Sequence, residues 1–559
     1  WEGLRSCDLE LRFGANQVER WDDRFLEHVE GEFALAVFDP RSHTLELFRD
    51  HLGGRPLCFV DTPEIFAFAS EAMSLLMLPS VRREIDPVGI VTLWYDDATY
   101  QCDSHTAFVD IKKLMPGHRL SLQKCGKPCI KRYWHLQRST ELHLRNEVDY
   151  IEAFRDVFGG AVDRAARGSV DTALMLGGGI DSSAILAARK GFERNRVAVD
   201  ITCISAVLAP EVDDRVSLDE HRNIREILAN HSPNIVFQVP VPGDLAAKIN
   251  VADLAEIAWS WIHPVDASLL VPAIVCRLAS ERGIRLVLNG VDGDNVTSTS
   301  VFYIDELVRK GRWHQAWRES GMASSVNTYL AGTPRWQLFF RAALSRLEPS
   351  VLRRLRSWLH TSRTVRTLPI HEVMSPDLAT ASNLANRLWA AREKRNRAPE
   401  IHRLNNMAYW LSCSMEGSNQ IASRFGVEVR HPWCDRKVVD FFARLPEEWR
   451  TKKGWTKYLV RKSCESALGS KVVWHSGKGH LGYWLNQQAV NDAAPYLSSL
   501  LLDQRSALRG LVREESVLEM SRILGDASRT WPVNDVNDIL KVAALAGWLR
   551  NINAVFNHG

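Results

Sequence analysis

Four segments of this 559-residue sequence carry side chains whose types and spacing suit chemistry on an anion. The first is Leu174-Met175-Leu176-Gly177-Gly178-Gly179-Ile180-Asp181-Ser182-Ser183, an apolar run that breaks into glycines, an acid and two hydroxyls before a helical stretch. Glycines let the backbone approach a phosphate and adopt positive φ without a steric penalty. The helix that follows starts with free N–H groups and the positive end of its dipole. Ser182 and Ser183 could donate further hydrogen bonds, and Asp181 could hold a divalent cation between phosphates. Glycine-rich strand-to-helix turns are common, and this one lacks both the Gly-Lys-Ser/Thr ending of a P-loop and the dinucleotide spacing. The second segment, Asn289-Gly290-Val291-Asp292-Gly293-Asp294-Asn295, follows the apolar run 286–288. Alone it reads as a turn. Beside the first, it could bring Asp181 and Asp294 to one Mg2+–pyrophosphate. The third, 424–435, sets Glu428 between Val427 and Val429. A carboxyl buried there could pass protons; the alternative is an ion pair with Arg430 or Arg424. The fourth holds Gly454-Trp455-Thr456-Lys457, then Arg461, then Lys478 within Ser-Gly-Lys-Gly-His.

Such residues need strands and helices to gather them. Before about residue 140, short strand-like runs alternate with turns at 33–38, 45–48, 57–60, 66–69 and 119–123. Beyond it, strand-like runs at 172–176, 201–207, 235–239 and 286–288 alternate with helical stretches. That alternation predicts an α/β fold with a parallel sheet covered by helices on both faces. Ligands in such sheets bind beyond the carboxyl ends of the strands, where both glycine segments fall. From about 300 to 420 the strand signal disappears and the chain reads as helical.

Composition is that of an ordinary globular protein, 45% apolar and 25% charged, long enough for two or more domains. A net charge of +3 demands neither nucleic acid nor a membrane, and no apolar run approaches the ~20 residues of a membrane span. The ten cysteines are scattered, and Cys125 and Cys129 have no second Cys/His pair to complete a zinc site. They predict thiols in a reducing cytoplasm. The chain opens on Trp1 and is expected to be a piece of a longer one. Residues 335–366 carry eight arginines and one acid, Glu348, interleaved with Trp336, Phe339, Phe340 and Trp358. This is a solvated helical face or a surface for an acidic peptide, a carrier or nucleic acid.

Taken in order, these segments resemble the asparagine synthetase family, whose members include β-lactam synthetases and lasso peptide cyclases. The family's Ser-Gly-Gly-x-Asp-Ser loop is matched with Gly177 in place of the serine. Gly31 to Asp39, Arg49 to Leu57, Phe68 to Glu71, Met115 to His118 and Tyr133-Trp134 are similar to the family's glutaminase domain. The resemblance implies a glutaminase-like domain of the N-terminal-nucleophile type, two stacked sheets between helices, over 1–140 and lacking its first part. It implies an adenine-nucleotide α-hydrolase-like synthetase domain over 141–559, with a helical insertion at about 300–420. ATP and Mg2+ follow as cofactors. Gly177, Gly178, Gly179, Asp181, Ser182, Ser183 and Gly290 would bind ATP and pyrophosphate, and Asp181 and Asp294 the metal. Lys478 would stabilise charge in amide formation. Asp8, in Ser6-Cys7-Asp8-Leu9-Glu10, would hold the glutamine amino group, and Cys7 beside it would not be the nucleophile.

The activity implied is AMP-forming amide synthesis on a small-molecule or peptide carboxylate. Asparagine synthetases have Glu, and β-lactam formers Tyr, where this chain has Val291, which can neither accept a proton nor orient ammonia. By elimination, macrocyclisation of a precursor peptide is retained beside glutamine-dependent asparagine synthesis. A non-catalytic nucleotide-binding relative is the third reading. Asp292, next to Val291, is expected to point elsewhere in an extended segment.

Overall fold

The computed structural model describes Leu26 and residues 29–91, 104–124, 126–137, 140–168, 171–192, 201–206, 222–227, 236–239, 270–297, 302–326, 330, 332–347, 371–397, 399–475, 487, 490–525 and 533–557. In the N-terminal part, β1 (Ala34–Asp39), β2 (Thr44–Arg49), β6 (His118–Gln123) and β7 (Cys129–Arg132) form an antiparallel sheet in the order β1-β2-β6-β7. A second antiparallel sheet has β3 (Cys58–Asp61) between β4 (Phe66–Ala69) and β5 (Ile111–Lys113). Leu47 and Leu120 of the first sheet share a core with Leu57, Phe59 and Leu114, so the two sheets pack together. The β1–β2 turn is set by Asp39, whose carboxylate accepts from Arg41 N at 2.9 Å and Ser42 Oγ at 2.5 Å. Strands β5 and β7 are not among the runs read from the sequence. The first is three residues long, and the second, Cys-Ile-Lys-Arg, is exposed throughout and shows no apolar alternation.

The second part is built on a five-stranded sheet in the order β10-β9-β8-β11-β12. Its strands are β8 (Thr172–Met175), β9 (Thr202–Ala206), β10 (Val236–Val239), β11 (Leu286–Asn289) and β12 (Glu428–Arg430), and every pairing is parallel. Apolar side chains leave both faces, as a doubly covered sheet requires. Leu174, Cys203 and Leu288 pack towards α1 (Glu147–Ala165) and α2 (Ile180–Arg189). Ala173, Ile204 and Val287 pack towards α3 (Leu270–Ser280). Asn146 caps α1, its side chain accepting from Val148 N and Asp149 N.

After β11 come α4 (Gly293–Thr297) and a three-helix unit with its own apolar core, α5 (Phe302–Arg309), α6 (Trp313–Val326) and α7 (Arg335–Leu347). The long α8 (Pro399–Arg424) leads into β12, which is followed by α9 (Arg436–Arg444), the hairpin β13 (Thr451–Lys452) and β14 (Trp455–Thr456), and α10 (Tyr458–Leu468). The last helix, α11 (Val533–Asn557), contributes Leu540, Leu545 and Trp548 to a core shared with Leu75 and Phe108 of the N-terminal part. Among the described residues no helix is long and apolar enough to cross a membrane.

Register decides what these strands present. Leu286 pairs with Thr172 and Asn289 with Met175, so β8 and β11 end level and their glycine segments emerge side by side. Glu428 pairs with Leu286, the first residue of β11.

The two parts meet through buried charge. Asp50 gathers the N–H groups of Leu52, Gly53, Gly54 and Arg55 at 2.7–3.1 Å, folding 50–55 into a tight loop. That loop lies on α8, where Asn419 Nδ2 donates to Gly54 O at 2.9 Å. Arg49, 1% exposed, pairs with Glu416 of α8, and Lys113 Nζ lies 3.7 Å from the same carboxylate.

His51 sits in this seam with Nε2 3.0 Å from Arg436 Nη1 and 3.1 Å from Leu26 O. Burial and the Arg436 charge pull its pKa from 6.5 down to about 4, so the folded chain holds it neutral. The unfolded chain takes up this proton as pH falls through about 6.5, whereas the folded chain resists until about 4. Stability is therefore lost on acidification across that window, by up to ~1.4 kcal/mol per pH unit from this group. His51→Gln is expected to flatten the dependence of the urea midpoint on pH between 6 and 4.5; an unchanged slope would refute the assignment.

Candidate active site

The β8 loop is shaped by its own hydroxyls. Gly178 has φ 75°, a conformation that favours glycine. Ser182 Oγ accepts from Gly177 N at 3.1 Å and donates to Gly179 O at 3.3 Å, and Ser183 Oγ donates to Gly179 O at 2.8 Å. Each hydroxyl thus spends its one proton on closing the turn, rather than on the further hydrogen bonds that the sequence suggested, and Ser183 is fully buried. Asn223, 8% exposed, donates from Nδ2 to Gly178 O at 3.3 Å and holds the loop from outside. Gly177 is different: a Cβ built there meets nothing within 4 Å. The backbone therefore does not require glycine at the position where the resembling family has serine.

The β11 loop fits into the first. Asn289 Oδ1 accepts from Val291 N at 2.8 Å, which turns the chain. A Cβ on Gly290 would stand 2.7 Å from Ser182 Cα, and one on Gly293 2.4 Å from the Asp181 carboxyl carbon. Both glycines are needed for close approach. Asp292 does not lie in an extended segment, as the sequence suggested, but at φ 72°. Its buried carboxylate accepts from Asn295 Nδ2 at 2.7 Å and faces Cys434 Sγ at 3.7 Å; burial raises its pKa, against these hydrogen bonds and His431.

A third element completes the arrangement. Lys457 Nζ lies 2.5 Å from Asp181 Oδ2 and 2.7 Å from Asp294 Oδ1. Lys457 is 7% exposed and has φ 57° at the start of α10. Arg461, one turn on, donates from Nε to Thr456 O at 2.9 Å and lies with its guanidinium 5.0 Å from the Trp455 ring. Burial lowers the Arg461 pKa to about 10, and the charges of Asp181 and Asp294 oppose that shift. Two carboxylates, two cations and a helix start therefore converge beyond the ends of β8 and β11.

The donor set fits a divalent cation. Both carboxylates reach one point of positive charge, filled here by the ammonium of Lys457. Two carboxylate oxygens, with phosphate and water completing the shell, suit Mg2+. Among the described residues no third His, Cys, Asp or Glu joins them.

Of the residues singled out from sequence, the structure brings together Gly177, Gly178, Gly179, Asp181, Ser182, Ser183, Gly290 and Asp294. Glu428 lies apart from them. Its register with Leu286 sets it three residues before the end of β11, ~10 Å along the strand. There it takes the ion-pair alternative, accepting from Arg430 Nε at 3.0 Å and from Nη2 at 3.2 Å, and pairing with Arg55 of the N-terminal part. Lys478 and Asp8 lie outside the described residues. Lys457 stands in a segment the sequence flagged, but its role needed the fold. The same holds for Arg461, whereas Asn223 carried no spacing that points to a phosphate loop.

Comparison with known proteins now gives this arrangement a class. The asparagine synthase family matches residues 153–550, and a glutamine amidotransferase domain matches residues 14–134. The chain belongs to the asparagine synthase family, whose members form carbon–nitrogen bonds with ATP. It is 24% identical to "Asparagine synthetase [glutamine-hydrolyzing] 3" of Bacillus subtilis (strain 168), over 98% of this chain and 84% of that protein. It is 21% identical to "Asparagine synthetase [glutamine-hydrolyzing] 1" of the same organism, over 88% of this chain and 73% of that one. It is 26% identical to "Amidase chyE" of Penicillium rubens, over 86% and 73%.

The Gly293 contact gives a direct check on the site. Gly293→Ala must push the Asp181 carboxylate away, so Mg2+-dependent ATP affinity is expected to fall at least tenfold. The stability cost should stay near the ~1–3 kcal/mol of ordinary overpacking. Titration calorimetry and a melting curve would read the two effects, and wild-type affinity in this variant would exclude Asp181 from the site.

Proposed function

We propose that the chain joins a carboxylate to an amine at the expense of ATP, with AMP and pyrophosphate as by-products. The observation that carries this reading is the convergence of Asp181, Asp294 and Lys457 beside the glycine loop. A carboxylate oxygen attacks the α-phosphorus of ATP, the bond to the bridging oxygen breaks, and pyrophosphate leaves as an acyl-adenylate forms. The amine nitrogen then attacks the acyl carbon, the bond to AMP breaks, and the amine releases a proton.

Both steps move negative charge onto phosphate oxygens, so positioning and electrostatics dominate. The N–H groups around Gly178 and Gly179 and the start of α2 would hold the pyrophosphate. Asp181 and Asp294 would hold Mg2+, which supplies charge neutralisation between the phosphates. Lys457 then turns its ammonium from the carboxylates to phosphate oxygen, and Arg461 keeps a second positive charge behind it. Lys478 is assigned the charge that develops during amide formation. Glu428 has no proton-carrying part in this scheme, because two guanidinium groups hold it three residues before the strand end.

The amine and the acid are set by other features. Val291 offers no acid for ammonia, which favours an amine on a peptide and its macrocyclisation over asparagine synthesis from glutamine. The relatives' names favour glutamine-dependent asparagine synthesis, and the two packed N-terminal sheets fit a glutaminase-type half. Seven free cysteines among the described residues agree with a reducing cytoplasm.

Exchange of labelled pyrophosphate into ATP tests the chemistry. Exchange driven by aspartate alone, with AMP release, would end the macrocyclase reading; no exchange with aspartate or any peptide acid, together with tight ATP binding, would leave a nucleotide-binding module. Lys478→Ala is expected to retain exchange and lose amide product. Gly177→Ser, for which there is open space, should keep the melting temperature and tighten ATP binding by about fivefold, the worth of one added hydrogen bond of ~1 kcal/mol.

A further inference from the structure

Lys457 reaches the two carboxylates from a backbone that does not hold its own shape. Lys453, Gly454 and Lys457 have φ of 55°, 78° and 57° within five residues. The two-residue turn Lys453-Gly454 between β13 and β14 has positive φ at both positions, as the tight hairpin turn requires. Non-glycine residues persist in that region only where their surroundings impose it. The hairpin has two paired positions, Thr451–Thr456 and Lys452–Trp455, too few to be stable alone. Something outside must fix it.

The fixing contacts come from elsewhere in the chain. At the entry, Arg450, 3% exposed, donates from Nη1 to Val296 O at 3.3 Å, tying the hairpin to the helix that carries Asp294. At the tip stands Glu319 of α6, 2% exposed, whose Oε2 accepts from Gly454 N at 3.1 Å. A Cβ on Gly454 would lie 2.5 Å from Met322 C and O, so the tip is pressed onto α6. Burial raises the Glu319 pKa, against the hydrogen bond from Gly454 N and the charges of Arg318 and Lys452. A buried carboxylate held by backbone N–H groups is an expensive choice where a leucine would pack. The cost is understandable if the hairpin must be held in one position.

We infer that Glu319 is a positioning residue for the nucleotide site: the three-helix unit uses it to lock the Lys453-Gly454 turn and so to hold Lys457 beside Asp181 and Asp294, from where its ammonium reaches phosphate oxygen. The inference rests on the ATP-binding reading of that site, but the hairpin contact can be measured without it. Lys453 is exposed at the turn and offers trypsin a cleavage point.

The test uses the full chain with Glu319→Leu, which fills the space without an acceptor, and Glu319→Gln, which restores one. Glu319→Leu is expected to raise tryptic cleavage after Lys453 at least tenfold with little change in melting temperature. ATP affinity by calorimetry, in the presence of Mg2+, should fall about tenfold, and Glu319→Gln should recover most of both. Wild-type cleavage and wild-type ATP affinity in Glu319→Leu would overturn the inference. So would a general loss of melting temperature with cleavage spread over many sites, since a merely structural role predicts that pattern. Were Glu319→Leu not to fold, wild-type behaviour of a Glu319→Ala chain in both assays would overturn it equally. Local cleavage at Lys453 in a chain whose wild type binds no ATP would leave the lock standing and remove the nucleotide reading instead.

Discussion

The ammonium of Lys457 between Asp181 and Asp294 is the contact on which the rest of the site depends. Two carboxylates at the level ends of neighbouring strands repel each other. One cation between them removes it and marks where a metal ion would sit. The strand register brings the acids together, the glycines let the loops interlock, and the hairpin after α9 brings the charge. Each of these contributions comes from a different part of the chain.

The same arrangement explains why so much buried polarity surrounds the site. Asp50 organises a loop through backbone N–H groups, and that loop lies on α8 beside Arg49, Glu416 and Asn419. Arg55 reaches Glu428 on the edge strand, where Arg430 also forks onto it. Buried ion pairs add little net stability, but breaking one strands a charge at a cost of ~3–5 kcal/mol.

Much of this was legible in the sequence because it depends on short-range rules. Nine strands followed from apolar runs bounded by turn residues, and the two glycine segments from the chemistry of close backbone approach. What could not be read locally were the very short strands. Glu428–Arg430 is three residues long and lies in a segment that reads as a motif. Only pairing with β11 makes it a strand, and only its register shows that Glu428 sits away from the loops, bound to two arginines.

By itself, then, the sequence determined the chemistry of the loops: which residues can approach a phosphate, which can carry negative charge, and where helices begin. Those properties belong to a residue and its near neighbours. The tertiary structure decided which charges meet. Lys457 lies 276 residues from Asp181, Glu319 lies 135 from Gly454, and Arg55 lies 373 from Glu428. Contacts at that separation arise from the order and register of strands, which no local pattern encodes.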